Sequence, residues 1–82
     1  MHPAAFLARK WRLSYHGNQY LQLQGITVVV FGGRHDLWYY QVAGEYSPCG
    51  YLTERQAKLA AFTAFQEALR RRTLHRQHTT DR

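Results

Sequence analysis

Ile26-Thr27-Val28-Val29-Val30-Phe31, then Gly32-Gly33-Arg34-His35-Asp36, then Leu37-Trp38-Tyr39-Tyr40-Gln41-Val42-Ala43 is the stretch on which the fold turns. The two outer runs are β-branched and aromatic, the residue types that suit a pleated, packed surface. The glycine-led segment between them is too short to carry a crossover helix, so the runs pair antiparallel. Thr27 and Gln41 are best placed toward water. Side chains alternate along a strand, so Ile26, Val28, Val30, Trp38, Tyr40 and Val42 share one face. Val29, Phe31 and Tyr39 then share the other, together with Tyr20.

Toward the N-terminus the alternation continues. Leu21 and Leu23 alternate with Tyr20, Gln22 and Gln24, and Gly25 supplies a turn. Trp11, Leu13 and Tyr15 alternate with Arg12, Ser14 and His16, and Gly17-Asn18 offers a tight turn. Residues 3–10 have the composition of a short helix, with Pro3 in its first turn. Toward the C-terminus, Gly44 to Gly50 reads as a loop with room for a short edge strand. The character then changes. Thr53-Glu54-Arg55-Gln56 has the spacing of a capping box, with Leu52 and Ala57 at the staple positions. A helix is expected from Glu54 to about Arg72. At 100° per residue, Ala57, Ala61, Phe62, Ala64, Phe65, Ala68 and Leu69 fall on one arc, the alanines forming a low ridge that can sit close to a sheet.

The expectation is an α+β fold: a three- or four-stranded antiparallel β-meander with one long C-terminal helix packed on one face. Residues 1–74 form a single domain, and 75–82 a basic, polar, flexible tail. One helix covers one face of such a sheet. The other face, with Tyr20, Val29, Phe31 and Tyr39, is then covered by the N-terminal segment through Phe6 and Leu7, or serves as an interface with a protein or a second copy, or stacks nucleobases.

The chain has 82 residues, with 11 Lys and Arg against 5 Asp and Glu, a formal net charge of +6. That length holds one thin core, which excludes a multidomain enzyme and a solenoid. The single cysteine, Cys49, excludes an intrachain disulfide and suits a reducing, cytoplasmic setting. Met1 to Trp11 has no long apolar run, so no signal peptide is expected, and no apolar stretch approaches a membrane span. The charge is uneven. Residues 1–12 carry +3 through Arg9, Lys10 and Arg12. Residues 70–82 carry +4 through Arg70, Arg71, Arg72, Arg76 and Arg82 against Asp81, and the middle sums to −1.

Guanidinium groups bind phosphate bidentately, so the run Arg70, Arg71, Arg72 with Arg76 is the clearest chemical feature. Its plainer account is a helix end whose positive charge suits the dipole, followed by a soluble tail. His75 and His78 are spaced to share a helical face, but nothing completes the three or four ligands that zinc needs. His35, Asp36 and Cys49 sit in loops and could be cast as base, orienter and nucleophile, with no spacing that holds them together. Gly32-Gly33 does not open a helix, so it is no phosphate-binding loop.

Trp38, the turn at Gly44, Tyr51 and Thr53-Glu-Arg-Gln-Ala-Lys-Leu-Ala-Ala61 together resemble the three-stranded-sheet-plus-helix DNA-binding domains of the integrase arm-binding and ethylene-response-factor type. The resemblance spans Trp38 to Leu69. The helix opening, with Ala57-Lys58 and Ala60-Ala61, is also similar to the last helix of double-stranded-RNA-binding domains. The whole has the look of a small bacterial or phage protein. The resemblance implies a sheet followed by a helix, and a nucleic-acid partner. Those DNA-binding domains use arginines on the exposed sheet, where this chain has Val29, Phe31, Tyr39 and Gln41.

Sequence reasoning therefore points to a non-catalytic binding module without cofactor, metal, membrane or small-molecule substrate. Nucleic-acid phosphates are contacted by Arg70, Arg71, Arg72 and Arg76, with Arg9, Lys10 and Arg12 secondary. The alternative is a protein-interaction module or homodimer using Tyr20, Val29, Phe31 and Tyr39.

Overall fold

The alternation around Ile26–Gly32 is realised as the central strand of a five-stranded antiparallel sheet. The computed structural model describes residues 1–14 and 17–80, with the side chains of 1–14 and 17–74. The strands are β1 (Arg12–Leu13), β2 (Gln19–Leu23), β3 (Ile26–Gly32), β4 (Trp38–Val42) and β5 (Glu45–Tyr46), in the order of the chain. The count exceeds the expected three or four because the short edge strand forms. Ala43 (φ 52) and Gly44 (φ 84) make a two-residue turn like that of Gln24 (φ 51) and Gly25 (φ 78). Two successive positive φ values match the twist of a hairpin, so Glu45-Tyr46 returns directly alongside Gln41-Val42.

Register settles the two faces. Leu21 pairs with Val28, and Val28 with Val42, all on the helix side. Val28 and Val30 are fully buried there. Tyr20 pairs with Val29, and Phe31 with Tyr39, on the opposite side. The predicted division of β3 and β4 is therefore the observed one.

Helix α2 (Glu54–Thr80) lies across the inner face. Ala57 and Ala61 are fully buried and bring its axis close to the sheet, while Phe62 and Phe65 fill the space beside them. Ala64, Ala68 and Leu69 pack around this core, so the predicted arc is the buried one. Burying a Phe side chain contributes ~1.5–3 kcal/mol, which makes Phe65 a principal support. Thr53 caps the helix, its Oγ1 accepting from the Gln56 N–H at 3.1 Å. The reciprocal bond is displaced by one residue, Gln56 Oε1 accepting from the Leu52 N–H at 3.1 Å. Leu52 stays 76% exposed and makes no staple. The helix also continues through Thr80 instead of ending near Arg72. Nothing between Thr73 and Thr80 is a glycine or proline that would stop it. Residues 81–82 and the side chains of 75–80, which belong to the expected tail, lie outside the described residues.

The N-terminal segment corrects one expectation. Helix α1 (Pro3–Leu7) opens on Pro3, with His2 Nδ1 accepting from the Ala4 N–H at 3.3 Å. Its Phe6 does not cross the outer face. It is fully buried against α2, with ring centroids 4.9 Å from Phe62, 5.7 Å from Phe65 and 5.5 Å from Trp11. The low alanine ridge leaves the flank of the two phenylalanines open, and Phe6 closes it.

Candidate nucleic-acid interface

The helix arginines are held within the molecule. Arg70 makes two bonds to Glu67, through Nη2 at 2.6 Å and Nε at 3.1 Å. That contact holds the Glu67 carboxyl below its ordinary range and raises Arg70. Arg71 lies 3.6 Å from Glu45 and 4.0 Å from Glu67. Arg72 Nη1 donates to the Gln24 carbonyl at 2.7 Å, clasping the β2–β3 turn across 48 residues of sequence. The Arg76 side chain lies outside the described residues.

The N-terminal cations are placed differently. Arg9, Lys10 and Arg12 are exposed, and none forms an ion pair among the described residues. Arg12 pairs with Tyr20, so its side chain belongs to the outer face. The ladder between β1 and β2 ends there, and the chain before Arg12 diverges from β2. The gap is a cleft of about 530 Å³ lined by Lys10, Trp11, Arg12, Tyr20, Leu21 and Gln22. The Arg72 guanidinium is bound at Gln24, just past the end of the same strand. Two basic segments at opposite ends of the sequence thus flank one strand.

Trp11 forms the rigid wall of this cleft. Its ring meets the edge of Phe6 and carries the Lys58 ammonium 4.6 Å above it. Lys58 also donates to Gln19 Oε1 at 2.7 Å and sits 2.9 Å from Glu54 Oε1. That lysine is committed to the junction of α2, β2 and Trp11, and is only 12% exposed. Among the described residues the buried Trp11 Nε1–H has no acceptor.

The outer face carries the residues expected on it and one more. Arg12, Tyr20, Val29, Gln41 and Tyr46 form a single cross-strand row. Tyr46 was missed by sequence reasoning, and its signal lay in the Ala43-Gly44 turn, which sets it opposite Gln41. Phe31 stacks on Tyr39 at 5.9 Å and meets Tyr46 edge-on at 6.2 Å. These rings, with Gly33 and Arg34, line an open depression of about 330 Å³. Tyr39 lies flat against the backbone, and a Cβ on Gly33 would stand 2.7 Å from its ring. Its hydroxyl donates to the Arg34 carbonyl at 3.4 Å.

The remaining candidates are scattered. His35 and Asp36 share a left-handed turn after β3 (φ 62 and 58). Cys49 is exposed, and its neighbours are Tyr40 and Tyr51. Burial, reinforced by the nearby Cys49, pushes the Tyr51 hydroxyl up to about 12. No hydrogen bond joins Cys49 to His35 or Asp36 among the described residues. His75 and His78 have side chains outside those residues, and among the described residues no cluster of metal-ligating groups occurs. No described helix is long and apolar enough to cross a membrane. No protein-family model matches the chain, and neither does any curated protein or solved structure.

Proposed function

We propose that the chain binds nucleic acid, in the cytoplasm, by contacting its phosphates along the β1–β2 edge. Arg9, Lys10 and Arg12 make the primary contacts, and Arg72 with the neighbouring helix arginines extends the track. The observation that carries this reading is the pair of cations, Lys10 and Arg12, lining an open cleft beside β2 without a carboxylate partner among the described residues. Arg70 and Arg71 are already neutralised by Glu67 and Glu45, so they contribute less. Phosphate contacts position without reading sequence, so specificity is weak.

Anisotropy of a labelled duplex and of a labelled single strand, titrated at several salt concentrations, tests this. Each phosphate contact contributes about 0.9 to the logarithmic salt slope on duplex and about 0.7 on a single strand. The triple substitution Arg9→Ala, Lys10→Ala, Arg12→Ala is expected to flatten that slope by about 2–3. Unchanged affinity in the triple variant defeats the proposal.

A further inference from the structure

Resting on that reading, we infer that the ligand is single-stranded and that the depression between Phe31, Tyr39 and Tyr46 takes an unpaired nucleobase. A base needs an aromatic surface to stack on and a cation nearby for its phosphate. Tyr46 is 70% exposed, and its ring stands at the mouth of the depression. Phe31 and Tyr39 form the floor, stacked on each other and so held rigid. The volume of about 330 Å³ lies at the lower end of small-ligand clefts. Gly33 keeps the floor flat, because it leaves Tyr39 free to lie against the chain.

Charge identifies the occupant. Arg34 lines the depression, and Arg12 stands at the other end of the cross-strand row from Tyr46. None of the outward-facing strand positions is acidic. Glu45 faces the helix side, where it meets Arg71, and Asp36 lines an adjoining depression, with Leu37 and Trp38, that meets the first at Gly33. A surface with Tyr20 beside Arg12 at one end and the Phe31, Tyr39 and Tyr46 rings beside Arg34 at the other complements a chain of alternating bases and phosphates. A second copy laid face to face would bring the same cations and no carboxylate to meet them. The surface spans the four gaps between five strands, about 19 Å at ~4.8 Å per gap. That length accommodates several nucleotides of an extended strand. A duplex keeps its bases stacked inside and offers the tyrosines none.

The test compares labelled oligothymidylate with a duplex of equal phosphate number, using the full chain and the variants Tyr46→Ala and Phe31→Val. Tyr46 is exposed, so its removal leaves the fold intact, and circular dichroism checks both variants. The single strand is expected to bind at least 10-fold tighter than the duplex. Each variant is expected to lose about 5- to 150-fold on the single strand, the range of one stacked base, with the salt slope unchanged. Equal binding of both probes, indifferent to the two variants but still steep in salt, overturns the stacking inference and leaves the phosphate reading standing. No binding at low salt overturns both. Sedimentation showing self-association that Tyr46→Ala abolishes overturns the inference in favour of an interface between copies.

Discussion

The two faces of the sheet use the same strands and differ in what lies over them: a helix packs on one, and the other carries open aromatic rings. The inner face is mostly aliphatic and β-branched, with Val28 and Val30 fully buried, and its aromatic members, Trp38 and Tyr40, pack against that core. The outer face is aromatic, and its rings lean on one another and on glycine backbone. Small branched side chains let a helix approach closely, and close approach maximises burial and dispersion contacts. Large flat rings left without a covering element do something else. They hold an apolar surface open to the solvent, with cations at its margins. The folding free energy therefore resides chiefly on one side of the sheet, and the proposed recognition of a partner would use the other.

Truncating one ring on each side tests this division of roles most directly. Phe65→Ala removes a side chain that is 1% exposed and should cost about 3–5 kcal/mol. Tyr46→Ala, on a residue 70% exposed, should change stability by less than about 0.5 kcal/mol. Urea titration of both variants measures the difference. Comparable losses would mean that the outer face is a second core and not a recognition surface.

The inner face was the legible one. Period-two alternation in Ile26–Phe31 and the alanine arc of α2 are local patterns, and each names its own buried side. Whatever depends on contacts distant in sequence was not. Phe6 meets Phe62 and Phe65 more than fifty residues away, and nothing near Phe6 distinguishes α2 from the outer sheet as its partner. The Arg72 clasp on Gln24 is hidden for the same reason, since a run of arginines looks alike whether it faces water or a carbonyl. Arg12 joined the outer face only through its pairing with Tyr20. The candidate site, built from cations at the edge and rings in the middle, was legible as two unrelated features, and the β1–β2 pairing is what brings them onto one surface.

A subtler test addresses how firmly the outer rings are held. Gly33→Ala places a methyl 2.7 Å from the Tyr39 ring, a contact that forces the ring to move. Overpacking of this kind costs about 1–3 kcal/mol in a core. On this open face the ring can swing toward solvent, so a loss near the lower end is expected, visible as a drop of a few degrees in melting temperature. Ring resonances of Tyr39 and Phe31 should shift with it. A variant as stable as the parent, with those resonances unmoved, would show that the rings are not set by the backbone beneath them.

The smallest effect concerns charge, and it separates the faces by pH. On the inner side Glu54 is held below the ordinary carboxylate range, chiefly by its hydrogen bond from Lys58. A carboxyl with a depressed folded pKa adds stability above its unfolded value of about 4.3, and that addition is lost as pH falls through the folded value. The side chain is 33% exposed, so the increment is under about 1 kcal/mol. Glu54→Gln should therefore be less stable than the parent at pH 7, and the gap should close as pH drops below about 4. Thermal melts of both proteins from pH 7 to 3 measure it, and a gap that stays constant would mean Lys58 does not act through that carboxylate. The outer face, whose strand positions carry arginine and no carboxylate, has nothing to titrate in that range. Acid thus loosens the junction of α2 with β2 and Trp11 while leaving the charge of the outer face as it was. For as long as the fold survives, the proposed single-strand binding through that face should hold its affinity across the interval in which the Glu54 contribution to stability disappears.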